Sequence, residues 1–239
     1  MELTENIRKY WDLRSRGFSE SVIYEISTGE SEKTLELLES MGVAAGDSIL
    51  DVGCGPGYFA LALARSRVHV TGIDFSEDMI EKARTNASKY NSDARFVVMD
   101  AQKMSFPDDT FDHVVSRNVL WNLTRPEDAY SEIFRVLKPG GSAGILDGNF
   151  YLMDKETSGH HTHDQDCHSR FNRGEVDFSI IERLAKDLPL SSVERPAWDV
   201  SVLGKMHECS SVEVRFLKHS DDGCSPPSSF AIIARKVMR

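Results

Sequence analysis

Residues 49–57, Ile-Leu-Asp-Val-Gly-Cys-Gly-Pro-Gly, limit the folds open to this chain more than any other stretch. Residues 49–52 read as a buried strand. It runs into glycines at 53, 55 and 57, and an apolar helix begins near Tyr58. Alternating glycines leave little side-chain bulk, so a ligand can come close to the backbone. The N–H groups that open the following helix suit a negatively charged or polar ligand group. The order strand, G-x-G-x-G, helix is one residue shorter than the dinucleotide fingerprint G-x-G-x-x-G, and Asp51 has no counterpart in that fingerprint. By itself the loop leaves NAD, a flavin or a phosphate open as its ligand.

The chain beyond the loop keeps an alternating rhythm. Strands are expected over 68–73, 96–99, 111–116 and 142–147, with helices between them. Ser76 caps the second of these helices, with Glu77 and Asp78 in a first turn whose dipole favours acids. Thr124-x-x-Glu127 reads as a capping box with Pro126 in the first turn. The helix it opens buries Tyr130, Ile133, Phe134 and Leu137, and Lys138-Pro139-Gly140-Gly141 stops it. Short apolar strands alternating with amphipathic helices imply a parallel sheet covered on both faces. Residues 1–47 read as three helical segments, broken at Gly17 and Gly29 and closed by Gly42 as a C-cap. The first of them places Ile7, Tyr10 and Trp11 on one face, continued by Arg14. Residues 148–195 are polar, with one helix over 178–188. A helix over 198–206 follows, and strands over 212–217 and 230–237 close the chain as a hairpin.

Composition removes several classes of partner. A net charge of −10 argues against non-specific binding to nucleic acid or to an anionic membrane. The longest apolar runs, such as 59–64, are too short to span a bilayer. Residues 1–5 lack a signal-peptide pattern. Cysteines at 54, 167, 209 and 224 form no disulfide framework, so a cytoplasmic location is expected.

Three strand ends narrow the ligand. Open α/β sheets bind at the carboxyl ends of their strands. Gly53, Asp74 and Asp100 end the first three strands. Asp74 falls at the interval of an acid that accepts from both hydroxyls of a ribose. Met79, on the next helix, faces either that ligand or the core.

These residues resemble the class I S-adenosylmethionine (SAM)-dependent methyltransferases, in the branch that methylates ubiquinone and menaquinone precursors and other small molecules. The resemblance rests on Asp51 to Gly57, on Asp100-Ala101 after a strand, on the run from Asp100 to Asp112 and on Arg135 to Gly141. It covers about residues 48–147. It implies a Rossmann-like α/β fold: a seven-stranded, mostly parallel sheet with helices on both faces and strand seven antiparallel between five and six. It implies SAM as the cofactor, with Asp51, Gly53, Cys54, Gly55, Gly57, Asp74, Phe75, Met79, Asp100, Ala101, Arg117 and Asn118 around it. Asp100 would accept from the adenine amino group and the Ala101 N–H would meet a ring nitrogen. Residues 1–47, through Tyr10-Trp11-Asp12-x-Arg14, would fold over the cofactor as a helical lid. Residues 48–147 would form the SAM-binding core, 148–210 a substrate-side insertion and 211–239 the closing hairpin.

The loop after strand four lies next to the transferable methyl in this family. Its sequence here, Asn118-Val119-Leu120-Trp121, lacks the Asn/Asp-Pro-Pro-Tyr pattern of methyltransferases that act on amino groups in nucleic acid or protein. A small-molecule acceptor is therefore expected, with Trp121, His160, His163 and Trp198 as candidate contacts. Trp121 also suits core packing. Arg195 and Arg173 are candidates for a substrate carboxylate. The cluster 160–168 holds four histidines, a cysteine and two aspartates, but its spacing matches no standard metal motif. No resident metal is expected; His163, Cys167 and His168 are the local candidates. Capture of a thiophilic acceptor by Cys167, Cys209 and Cys224, and a SAM-binding module without turnover, stay open. Aminopropyl transfer is disfavoured, because Ser116-Arg117-Asn118 carries no acid.

Overall fold

The computed structural model describes residues 2–29, 31–152, 171–172, 176–218 and 229–238. In chain order the elements are α1 (Glu2–Thr28), α2 (Glu32–Met41), β1 (Ser48–Val52), α3 (Tyr58–Ala62), β2 (His69–Asp74), α4 (Glu77–Lys89), β3 (Arg95–Val98) and β4 (Phe111–Arg117). A short 3-10 helix (Leu120–Asn122), α5 (Pro126–Val136) and β5 (Leu137–Gly148) follow. The chain ends with α6 (Ser179–Ala185), a second 3-10 helix (Pro189–Ser192), α7 (Ala197–Leu203), β6 (Cys209–Lys218) and β7 (Ser229–Lys236). The strands form one seven-stranded sheet in the order β3-β2-β1-β4-β5-β7-β6. Strands β1 to β5 run parallel, and β7 lies antiparallel between β5 and β6.

The period of two in β1 builds both layers. Ile49 joins a core with Phe59, Ile80 and the α2 residues Leu37, Leu38 and Met41. Leu50 and Val52 face the opposite core, with Ile73, Val114 and the α5 residues Tyr130, Ile133 and Phe134. Each fully buried side chain of this size contributes about 1.5–3 kcal/mol. All the parallel strand ends therefore open on one edge of a sheet that is closed on both faces.

Two expectations about local structure are corrected. Gly17 does not break a helix: α1 is continuous across it. A Cβ at Gly17 would stand 2.7 Å from the carbonyl oxygen of Phe171, so the glycine permits close approach of another segment. Thr124 makes no capping box. The N-cap of α5 is Arg125, with no side-chain cap bond, and the Thr124 hydroxyl donates instead to Gln102 Oε1 at 3.1 Å. Elsewhere the differences are in length. α3 stops at Ala62, and β5 begins at Leu137, so the Pro-Gly-Gly turn lies inside the strand beside a register shift in β4. The caps at Ser76 and Gly42 are as expected: Ser76 Oγ accepts from the Met79 N–H, and Gly42 is left-handed.

Candidate active site

The glycine turn is held from two sides. Gly53 is left-handed, with φ +68°, and a Cβ there would stand 2.3 Å from Val119 Cγ2. Val119, in the loop after β4, is therefore seated directly on the turn. From the other side, Asp74 Oδ2 accepts from the Gly55 N–H and Asp74 Oδ1 from the Ser76 N–H, both at 2.9 Å. One carboxylate thus ties the end of β2 to the glycine turn and to the start of α4. Burial pushes its pKa up to about 6, against the opposing pull of the Ser76 and Gly55 N–H groups.

Asp51 is the second buried acid. Burial, and then the neighbouring Asp74, drive its carboxyl well above the ordinary range, while Arg117 pulls the other way. Its Oδ2 has no hydrogen-bond partner among the described residues. A buried carboxylate oxygen without a donor is costly. An ammonium group arriving beside the turn would remove that cost.

Above these acids lies a cleft enclosing about 710 Å³ of empty space, its open mouth included. Gly53, Gly55, Asp74, Phe75 and Met79 form one wall, and Met99, Asp100, Ala101 and Gln102 a second. Arg117, Asn118, Val119, Asn122, Leu123 and Thr124 form a third. The helix α1 lies across the opening and contributes Thr4, Ile7, Trp11 and Phe18. Several contacts fasten it there. Trp11 Nε1 donates to Asn122 Oδ1 at 3.4 Å, Ser76 Oγ donates to Asp12 Oδ1 at 2.6 Å, and Asn86 Nδ2 donates to Ser19 Oγ at 2.9 Å. Arg117 Nη2 donates to Glu25 Oε2.

The cleft thus gathers Gly53, Gly55, Asp74, Phe75, Met79, Asp100, Ala101, Arg117 and Asn118. Five other proposed cofactor residues do not line it. Asp51 lies buried beneath the turn. Cys54 is buried with its Sγ against Gly72, and Gly57 packs on Ala83 and Phe96. Tyr10 belongs to a separate apolar cluster with Ile7, Trp121 and Ile181, and burial pushes its hydroxyl up to about 12. Arg14 is buried away from the cleft: its guanidinium lies 4.8 Å from the Phe178 ring centroid and donates to Asn172 Oδ1 at 2.9 Å. The residue of this segment that reaches the cleft is Trp11.

The acceptor candidates fare differently. Trp121 packs against Phe150 and Tyr151, with ring centroids 5.9 and 4.9 Å away. Its Nε1 donates to the Asn118 carbonyl at 3.0 Å. It supports the loop from behind rather than facing the cleft. Trp198 packs on Tyr130, also outside the cleft. Arg195 is buried and already matched. It donates to Asp147 Oδ2 at 2.7 Å and, through two nitrogens, to Asp199, which also accepts from the Tyr130 hydroxyl. Asp147 in turn accepts from the Trp121 N–H at 3.2 Å, so this network anchors the loop after β4. His160, His163, Cys167, His168, Arg173 and Cys224 lie outside the described residues. Among the described residues no group of His, Cys, Asp and Glu side chains could hold a metal ion.

Gln102 escaped the sequence reading. Its Nε2 donates to Asp100 Oδ1 at 3.0 Å, and its Oε1 accepts from Thr124 Oγ1 and from the Arg125 N–H. This buried amide fixes the rotamer of Asp100 and joins the end of β3 to the loop before α5. Its position directly after Asp100-Ala101 was the one available signal.

Residues 50–145 match the methyltransferase domain family. Over 147 residues the chain is 36% identical to phosphatidylethanolamine N-methyltransferase of Cereibacter sphaeroides, covering 60% of this chain and 71% of that protein. The chain belongs to the SAM-dependent methyltransferases. The methyltransferase is also 37% identical over 123 residues to phosphoethanolamine N-methyltransferase 1 of Arabidopsis thaliana. That match takes in 51% of this chain and spans only 25% of the plant protein. Among solved structures, a SAM-dependent methyltransferase from Methanosarcina mazei matches with a TM-score of 0.55 at 26% identity, covering 82% of this chain and 95% of that one. No helix among the described residues is long and apolar enough to cross a membrane.

The residues present fit the family's cofactor. The orphaned Asp51 oxygen suits an ammonium group, and Gly53, Gly55, Asp74, Asp100 and Ala101 line the cleft above it.

Proposed function

We propose that this methyltransferase transfers a methyl group from SAM to a small-molecule acceptor. The observation that carries the reading is the buried Asp51 oxygen, left without a donor beside a glycine turn that Asp74 holds open. Asp51 would take the donor's ammonium group and Asp74 its ribose hydroxyls. Asp100 and the Ala101 N–H would take the adenine edge, with Gln102 holding Asp100 in place. When bound, SAM supplies a methyl already activated on a sulfonium, for displacement in line with the S–C bond.

The protein's own contribution is then placement and exclusion of water. Positioning of this kind lowers a barrier by up to about 7–11 kcal/mol. Trp11 and Phe18 of α1 cover the cleft, and the loop after β4 is braced by Trp121 and Asp147. A net charge of −10 is unfavourable for a polyanionic acceptor. The two relatives are named as N-methyltransferases of ethanolamine compounds, which makes an amine nitrogen the first acceptor to test.

Calorimetry with S-adenosylhomocysteine tests the donor site. Asp74→Ala is expected to weaken binding at least tenfold, for loss of hydrogen bonds to a charged group of about 1.5–3 kcal/mol. Unchanged affinity overturns the ribose assignment. Incubation with methyl-labelled SAM and a fractionated cell extract tests the acceptor. Label in the small-molecule fraction supports the reading; label confined to RNA or protein, or donor binding with no transfer, overturns it.

A further inference from the structure

An acidic and a basic side chain flank the glycine turn. Asp51 lies in β1, two residues before Gly53. The pairing of Val52 with Ser116 sets Arg117, the last residue of β4, level with Gly53 on the neighbouring strand. Arg117 lines the cleft and acts electrostatically on Asp51. It is also held firmly. Its guanidinium stacks 3.9 Å from the centroid of the Tyr58 ring and donates through Nη2 to Glu25 of α1, which is itself buried. Tyr58 is fixed in turn by a hydroxyl contact of 2.9 Å to Thr34. An arginine with its plane set by a ring and one edge set by a carboxylate presents its remaining donors in a defined direction.

Resting on the donor reading above, we propose that Arg117 binds the α-carboxylate of the donor's amino-acid tail, with Glu25 as the residue that positions it. The cleft-lining Arg117 then takes the carboxylate of a zwitterion whose ammonium end lies toward the unpartnered Asp51 oxygen beneath the turn. The role comes from the end of β4, not from Arg14, which the structure turns toward Asn172 and Phe178. It also makes the site selective. A donor fragment that keeps the adenosine and the amine but lacks the carboxylate gains nothing from Arg117.

The test compares two ligands by calorimetry: S-adenosylhomocysteine and its decarboxylated form, which differ only in the carboxylate. Arg117→Met is expected to weaken S-adenosylhomocysteine binding about tenfold or more, the scale of a charge-assisted pair, and to leave the decarboxylated ligand within about twofold. Removing Arg117 alone takes one partner from the buried Glu25, so the double variant R117M/E25Q serves as the control. It should show the same ligand-selective loss. Arg117→Lys keeps the charge but not the fork or the stacking, and should fall between. Equal losses for both ligands, or no loss in the double variant, overturn the assignment. Wild-type protein that binds neither ligand overturns the donor reading itself, and this proposal with it.

Discussion

Substituting alanine for Gly53 separates two costs that meet at one atom. The first is conformational: φ at Gly53 is +68°, and a residue with a Cβ pays about 1–2 kcal/mol there. The second is steric. The new Cβ would lie 2.3 Å from Val119 Cγ2 and 2.8 Å from Cγ1. Valine has little rotamer freedom to move aside, and overpacking of this kind costs about 1–3 kcal/mol. The sum is about 2–5 kcal/mol, or a fall in Tm of about 4–20 °C for a chain of this length. In a Val119→Ala background the two γ-methyl clashes are removed, leaving only the position-119 Cβ at 3.1 Å, and the conformational part stays. G53A should then cost about 1–2 kcal/mol. A double-mutant cycle by urea denaturation therefore expects a coupling of about 1–3 kcal/mol between the two positions. Donor affinity should follow, since G53A displaces Val119 from the cleft wall and G53A/V119A does not. A coupling below about 0.5 kcal/mol would refute the claim that the loop after β4 rests on the glycine turn.

Three further outcomes follow from contacts described above. Asp74 has a folded pKa of about 6 against an ordinary 3.8, so the folded state holds its proton more tightly than the unfolded state. Its stabilising contribution is full below 3.8 and is lost as pH rises through about 6, a change of about 3 kcal/mol. Thermal melts of ligand-free protein from pH 4 to 7 should show that slope in wild type relative to Asp74→Asn, while S-adenosylhomocysteine affinity rises over the same range; parallel melting curves would contradict it. Arg195→Met strands Asp147 and Asp199 in the interior and should cost about 3–5 kcal/mol by urea denaturation, with a loss under 1 kcal/mol counting against the network. Gly17→Ala gains about 1 kcal/mol of helix propensity but drives a Cβ to 2.7 Å from the Phe171 carbonyl, so net destabilisation is expected; net stabilisation would mean that the close contact is absent.

Local patterns in the sequence carried the framework. The interval from the glycine turn to Asp74, and Asp100 at the next strand end, are short-range features, and the cleft gathers both acids. The order of the last three strands was available only through family resemblance, because the partners of a closing hairpin are distant in sequence. What misled was local chemistry overridden from afar. Gly17 looks like a helix breaker until the Phe171 carbonyl is seen against it. Thr124 has the spacing of a capping box, but Gln102 takes its hydroxyl. Arg195 looked available to a substrate because nothing in the sequence shows that β5 and α7 deliver Asp147 and Asp199 to it. Tyr10 and Arg14 share the helix of Trp11, and only the packing against Asn172, Val176 and Phe178 decides which of them faces the cleft.

The continuity of α1 has a mechanical consequence. A helix interrupted at Gly17 would have let its first half swing while its second half stayed docked. An unbroken rod of 27 residues has no such joint. Thr4 and Trp11 meet the loop after β4 near one end, Asp12 meets Ser76 in the middle, and Glu25 meets Arg117 near the other. A rod held at these three places moves as one body, so displacing either end loads the contacts along its whole length.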